Sequence, residues 1–362
     1  MADLTQVTWG WLLIWDFFLA GTGAGAYLTG ILAEFLGEKH RVAAKIGTFL
    51  SAPLVIGGVL FLMLDLGRPE RFMSVFSNFD SLIAIGSMFI TAFLVVSVVH
   101  IGFWIWPFKM LEKANMARRA LGIVGAILAL GVMIYPGVTM SLTAVPLWAT
   151  GLLPLLFIGV ATLSGMAATV LVLAIYHARA SGDVKERAVG SMKALATPLL
   201  GLAVFVLAVV FFLTMAVANI GPTGLESTTL LTTGAFAPLF WGGLVVAGLV
   251  LPILLLGMGV RAAGRLPVFA AVSSILLLVG GLLARFLVVS AGISLAPPHF
   301  APGQEAYFSG YPPQFVTEFL VDVKPTGFDY AIVGVFFLVL VAAYFVAAKI
   351  VPTGKISTAK KV

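Results

Sequence analysis

Asp16 and Glu34 lie within one long apolar run, where an ionisable side chain is expensive and defaults to a functional reading. Few other ionisable groups occur in such runs: His100, Arg285 and, at the end of one, Asp65. At 100° per residue, Asp16, Ala20, Gly23, Tyr27, Gly30 and Glu34 fall close to one helical face. A small, polar stripe with an acid near each end suits a tight helix–helix seam. Two carboxylates on that seam also suit proton transfer.

Depth relates the other groups to Asp16, which sits about 10 Å inside one end of its segment at 1.5 Å per residue. Arg285 and Tyr135 lie at comparable depth from the same side, Tyr135 beside the helix-perturbing pair Pro136 and Gly137. Asp65-Leu-Gly-Arg68-Pro-Glu70-Arg71-Phe72 closes a segment on that side too. Gly67 and Pro69 read as helix-ending punctuation, while the pairing of Arg68 with Arg71 is unexplained by it. Toward the other side, Glu34 and His100 form a candidate proton path. His100 and His177 leave open a bis-histidine haem site, although His177 sits beside Arg179 at the surface. Gly21-Thr-Gly-Ala-Gly25 lies in an apolar segment and reads as packing, with no nucleotide fingerprint in strand–helix context.

The elements that must position these groups are transmembrane helices. Of the 362 residues, 61% are hydrophobic and 10% charged, against about 25% charged in a soluble domain. Nine segments are near the roughly 20 apolar residues that a span needs: about 9–36, 42–64, 81–106, 120–140, 152–176, 194–218, 236–260, 267–291 and 330–350. The expected fold is therefore all-α and integral to the membrane. Residues 1–140 and 141–291 are expected to form two four-helix bundles, 292–329 an extracytoplasmic loop, and 330–362 a ninth helix with a cytoplasmic tail. Leu50-Ser-Ala-Pro53-Leu54 and Leu195-Ala-Thr-Pro198-Leu199 mark a weak repeat between the bundles. The long loop interleaves prolines with Phe300, Tyr307, Phe308, Tyr311 and Phe315, which suits packing against another surface.

Charge orients the spans. All but Arg68, Arg71, Arg285 and Lys324 of the 21 Lys and Arg residues fall on one side of this threading. By the positive-inside rule the N-terminus is extracytoplasmic and the C-terminus cytoplasmic, in the cell (inner) membrane. The first span follows Asp3 and no basic residue, so no cleavable signal is expected. The net charge of +6 belongs to these loops rather than to a nucleic-acid surface. With no cysteine, disulfides and cysteine-ligated clusters are excluded from the chain, so redox chemistry would need an organic cofactor, histidine-bound metal or partner subunit.

Asp16-Phe-Phe-Leu-Ala-Gly-Thr-Gly-Ala-Gly25 resembles the opening of the NrfD family, which includes the polysulfide reductase membrane subunit. Asp65–Phe72 resembles that family's most characteristic stretch. Tyr135-Pro-Gly137, Pro146-Leu-Trp148, Pro154-Leu-Leu-Phe157 and Ser164-Gly165 resemble the passage from its fourth helix to its fifth. The resemblance implies a quinol site near the outer face, taking menaquinone or another quinone and no haem. It also implies a ferredoxin-like iron–sulfur partner on the extracytoplasmic face, often serving a molybdopterin catalytic subunit. By position, Asp16 and Tyr135 match quinone-contacting positions, and Asp65 and Arg68 the characteristic loop; Ala20 lies on the Asp16 face and Arg285 joins on depth. Asp16 would accept a proton, Tyr135 bond a quinone oxygen, and an arginine stabilise negative charge on it. The ninth span departs from the family's eight-helix members. A transporter or proton channel and a haem b carrier are the alternatives of another class.

Overall fold

The computed structural model describes residues 10–65, 73, 76, 81–104, 115–143, 145–294 and 334. Its first helices are α1 (Trp11–Phe35), α2 (Arg41–Asp65), α3 (Leu82–Gly102), α4 (Asn115–Ser141), α5 (Leu152–Arg179) and α6 (Asp183–Ala218). A short α7 (Pro222–Thr232) follows, then a π-helical stretch, Pro238–Val250, that runs into α8 (Leu251–Arg261), and finally α9 (Leu266–Ser294). The protein is an all-α membrane protein, with eight helical stretches long and apolar enough to span a bilayer among the described residues. The ninth predicted segment lies, apart from Gly334, outside the described residues, as does nearly all of the loop before it.

Most predicted segments match helices to within a few residues. The exceptions have physical causes. Helix α6 begins 11 residues before the predicted Ala194, because hydropathy registers only the part of a helix that meets lipid. At 36 residues it spans about 54 Å, well beyond a hydrocarbon core of about 30 Å. Its leading turns carry Lys185, Arg187 and Lys193 into the polar interface, while Asp183 and Glu186 sit at its positive end. Likewise α4 begins at Asn115, so Arg118 and Arg119 belong to a helix and not to the loop expected there. Helix α7 was not foreseen, being short and too polar for an apolar-run criterion.

Helices α1 and α5 are the centre of the bundle. Helix α1 packs on α2, α4, α5 and α9, and α5 on α1, α4, α6 and α9. The glycines of the sequence run set these distances. A Cβ at Gly25 would strike the Ala161 backbone, and one at Gly165 would strike the Gly25 and Ala26 backbones. Helix α2 reaches α1 the same way, with Gly30 against Ala44 and Thr48, and Gly47 against Ala26 and Gly30. Lipid offers no hydrophobic drive for helix association, so backbone approach and van der Waals contact must supply it. The α1–α2 and α5–α6 connections each turn through a glycine in left-handed backbone, Gly37 (φ 109°) and Gly182 (φ 60°).

Candidate functional site

Toward the end of the bundle where α1 begins, α1, α3, α4, α5 and α9 enclose a cavity. It is lined by Asp16, Phe17, Ala20 and Gly21 of α1, Ile90 of α3, Val132, Met133, Tyr135 and Pro136 of α4, Phe157 of α5 and Arg285 of α9. Four of the residues expected to share a site, Asp16, Ala20, Tyr135 and Arg285, therefore meet here. Asp65 ends α2 and is not in the lining. Arg68 lies outside the described residues. Glu34 and His100 lie elsewhere, at the opposite end of the bundle.

Each polar side chain is placed by a packing constraint. Asp16 is 2% exposed, and its Oδ1 makes no hydrogen bond. Gly58 of α2 lies against that carboxylate; a Cβ there would come 3.0 Å from Oδ1. Arg285, 3% exposed, lays its guanidinium over the Phe157 ring at 3.8 Å and donates from Nη2 to the Phe157 carbonyl at 2.9 Å. Its Nε makes no hydrogen bond. The Tyr135 ring packs on Gly86 of α3, where any Cβ would occupy the ring's place. Pro136, having no N–H, cannot bond the carbonyl of Val132 one turn back, and both residues line the cavity.

The cavity itself is smaller than the sequence suggested. Asp16, Tyr135 and Arg285 were expected to surround a space for a quinone ring, but the enclosed volume is about 10 Å³. That is room for about one water, against roughly 300–1,000 Å³ for a small-molecule site. The side chains close over the space because Phe17, Ile90, Met133 and Phe157 fill it from four helices. Ligand entry requires these helices or side chains to part. Sequence reasoning had no means to find those apolar walls, since nothing distinguishes such residues from lipid-facing ones. Gly58 and Gly86 were equally hidden, their role being visible only through what a Cβ would meet.

At the other end of α1, four buried side chains from three helices form a connected network. Arg118 Nε of α4 donates to Glu34 Oε1 at 2.8 Å, and His100 Nε2 of α3 lies 3.8 Å from Glu34 Oε2. The Tyr27 hydroxyl and His100 Nδ1 are 2.7 Å apart. Arg118 also lies over the Trp104 ring at 4.3 Å. Glu34 and His100, the two residues expected on a proton path, thus lie side by side. Tyr27 stood on the polar stripe, whereas Arg118 was hidden by its assignment to a loop. His177 of α5 is not part of this network.

The fold and site together define a polytopic helical membrane protein with an acid, a tyrosine and an arginine converging on one buried cavity. The match to known proteins narrows that class. Residues 1–297 match the family described as Polysulphide reductase, NrfD, and the chain belongs to that family. It is 31% identical over 308 residues to a polysulfide reductase component of Wolinella succinogenes, covering 79% of this protein and 94% of the relative. It is 26% identical to Protein NrfD of Escherichia coli over 318 residues, 79% of this protein and 95% of that one. A selenate reductase component of Mesobacillus selenatarsenatis is 24% identical over 234 residues, about half of each protein (53% and 54%).

Proposed function

We propose that this chain is the quinone-reactive membrane subunit of a respiratory oxidoreductase and that the Asp16–Tyr135–Arg285 cavity is its quinol site. The observation that carries this reading is a carboxylate oxygen left without a hydrogen bond inside a cavity that also holds a phenol and a guanidinium. Buried polar atoms are nearly always paired, so an orphaned one asks for a ligand or a water. Quinol oxidation releases two protons and two electrons, and these groups suit the proton half. Asp16 accepts a proton, Tyr135 bonds a ring oxygen, and Arg285 stabilises the negative charge that develops there. Menaquinone or another quinone would be the substrate.

Electrons need a carrier outside this protein, which has no cysteine to hold a cluster. A ferredoxin-like iron–sulfur subunit docked over the cavity end would receive them, with a molybdopterin subunit beyond it. The similarity to components named for polysulfide and selenate reductases supports such partners. The cavity end would face the extracytoplasmic side, because the basic connections lie at the other end.

Asp16→Asn in the assembled complex tests the site. The amide keeps volume and hydrogen bonding but takes no proton, so quinol-dependent turnover should fall by roughly 10²-fold or more. Reduction of the partner subunits by a soluble artificial donor should persist. Wild-type quinol turnover in a fully assembled variant would remove Asp16 from the chemistry and leave Asp65 as the next acceptor to test.

A further inference from the structure

Every residue that lines the cavity is buried except Tyr135, which is half-buried. Its ring is thus the one part of the lining that reaches the surface, and it does so in the seam between α3 and α4, against Gly86. The seams around the cavity differ in what holds them. Helices α1 and α5 meet backbone to backbone at Gly25 and Gly165. Helix α4 meets α5 in the same way, since a β-carbon at Gly137 would strike the backbone of Leu153 and Pro154. Along α3–α4 the glycines face rings instead. Tyr135 of α4 covers Gly86 of α3, and about one turn further in Phe89 of α3 covers Gly131 of α4. A ring can turn aside, whereas a backbone cannot. Helix α3 is also fastened unevenly. Toward the basic end the Tyr27 hydroxyl and His100 Nδ1 are 2.7 Å apart, and the Tyr27 ring packs on Phe93 at 5.2 Å. In the cavity half, Ser87 and Thr91 donate to carbonyls of their own helix. No side-chain hydrogen bond joins that half to a neighbouring helix among the described residues. Ile83, Ile85 and Met88 are exposed on it.

We propose that the cavity exchanges its ligand with the bilayer through a portal between α3 and α4. It opens when α3 swings outward about its His100 end and the Phe89 and Tyr135 rings lift from Gly131 and Gly86. Resting on the quinol reading above, this portal is the route by which quinol reaches that site. Quinol is an apolar molecule dissolved in lipid, so a lipid-facing seam spares it a passage through water. The walls behind the rings suit that cargo, with Ile90 of α3 and Val132 and Met133 of α4 all apolar. Closure returns Tyr135 to the cavity wall beside the ring that has entered, so one residue both shuts the portal and bonds the substrate. Phe89 is not among the lining residues. It latches the seam and does not act on the substrate.

The absence of cysteine from the chain allows α3 and α4 to be joined reversibly without competing thiols in this subunit. In Phe89→Cys/Gly131→Cys the second cysteine takes room that the lost ring vacates. A β-carbon at position 131 would lie 2.8 Å from Phe89 Cγ, so the two β-carbons are no more than about 4.3 Å apart, within reach of a disulfide. With the full complex in liposomes, oxidising the pair should lower quinol turnover by roughly 10-fold or more, and a lipid-soluble phosphine should restore it. Reduction of the partner subunits by a soluble artificial donor should be the same in both forms. Phe89→Ala tests the opposite direction. A looser seam raises the open fraction, so turnover at limiting quinol should rise about twofold or more. A ring needed only for packing would lower it. Equal quinol turnover in the disulfide and dithiol forms overturns the portal, and so does the lack of a rise in an assembled Phe89→Ala complex. Either result leaves the quinol reading standing, because the wild-type complex still turns over. A wild-type complex without quinol turnover overturns both.

Discussion

Tyr135 is held by the absence of a side chain. Its ring occupies the volume that a β-carbon at Gly86 would need, so the phenol reaches the cavity only while position 86 is glycine. Gly86→Ala should turn the ring out of place and lower quinol turnover by roughly 10-fold or more, since small misplacements of a positioned group carry large rate penalties. The complex should still assemble, because α3 lies at the edge of the bundle with a third of its span buried. An assembled Gly86→Ala complex with unchanged turnover would show that Tyr135 does not act on the substrate. The polar members of the site were legible in the sequence for one reason: charges and phenols are conspicuous among apolar residues. Asp16, Tyr135 and Arg285 could be related by depth from the segments alone. Gly58, Gly86 and Phe157 could not, because glycines and phenylalanines abound in membrane helices and only their neighbours make them particular.

At the scale of the helix, the α1–α5 crossing is the most demanding contact, and it has an internal control. Gly165→Ala would place a methyl group against the Gly25 and Ala26 backbones, where nothing flexible is present to yield. Overpacking of this kind costs about 1–3 kcal/mol, so the thermal midpoint of the detergent-solubilised protein should fall. Gly190, in α6, has nothing near its β-position, and Gly190→Ala should be neutral or stabilising by roughly 0.5–1 kcal/mol through helix propensity. Equal midpoints for both variants would refute the crossing as described. The helices themselves were legible because apolar length is set by bilayer thickness. What lies beyond the bilayer was not. The leading turns of α6 and the first turn of α4 are polar helix, indistinguishable from loop by hydropathy, and that is where Arg118 was hidden.

For the whole molecule, the asymmetry of charge is the main statement about direction. The connections after α1, α5 and α8 carry or flank Lys39, Arg41, Arg179, Lys185, Arg261 and Arg265, while the connections after α4 and α6 carry no Lys or Arg. A reporter fused after Lys361 should give a cytoplasmic signal. A signal from the opposite side would turn the cavity toward the cytoplasm. Direction of this kind comes from composition alone, since a helical bundle packs identically whichever way it threads the bilayer.

The closed state of the cavity has a kinetic meaning. With about 10 Å³ among the side chains that line it, the cavity as it stands admits no ring-sized molecule. Occupancy begins only in the fraction of molecules whose helices have momentarily parted, and affinity is diminished by that fraction. On the proposed quinol reading, turnover at this cavity is bounded by how often the protein opens.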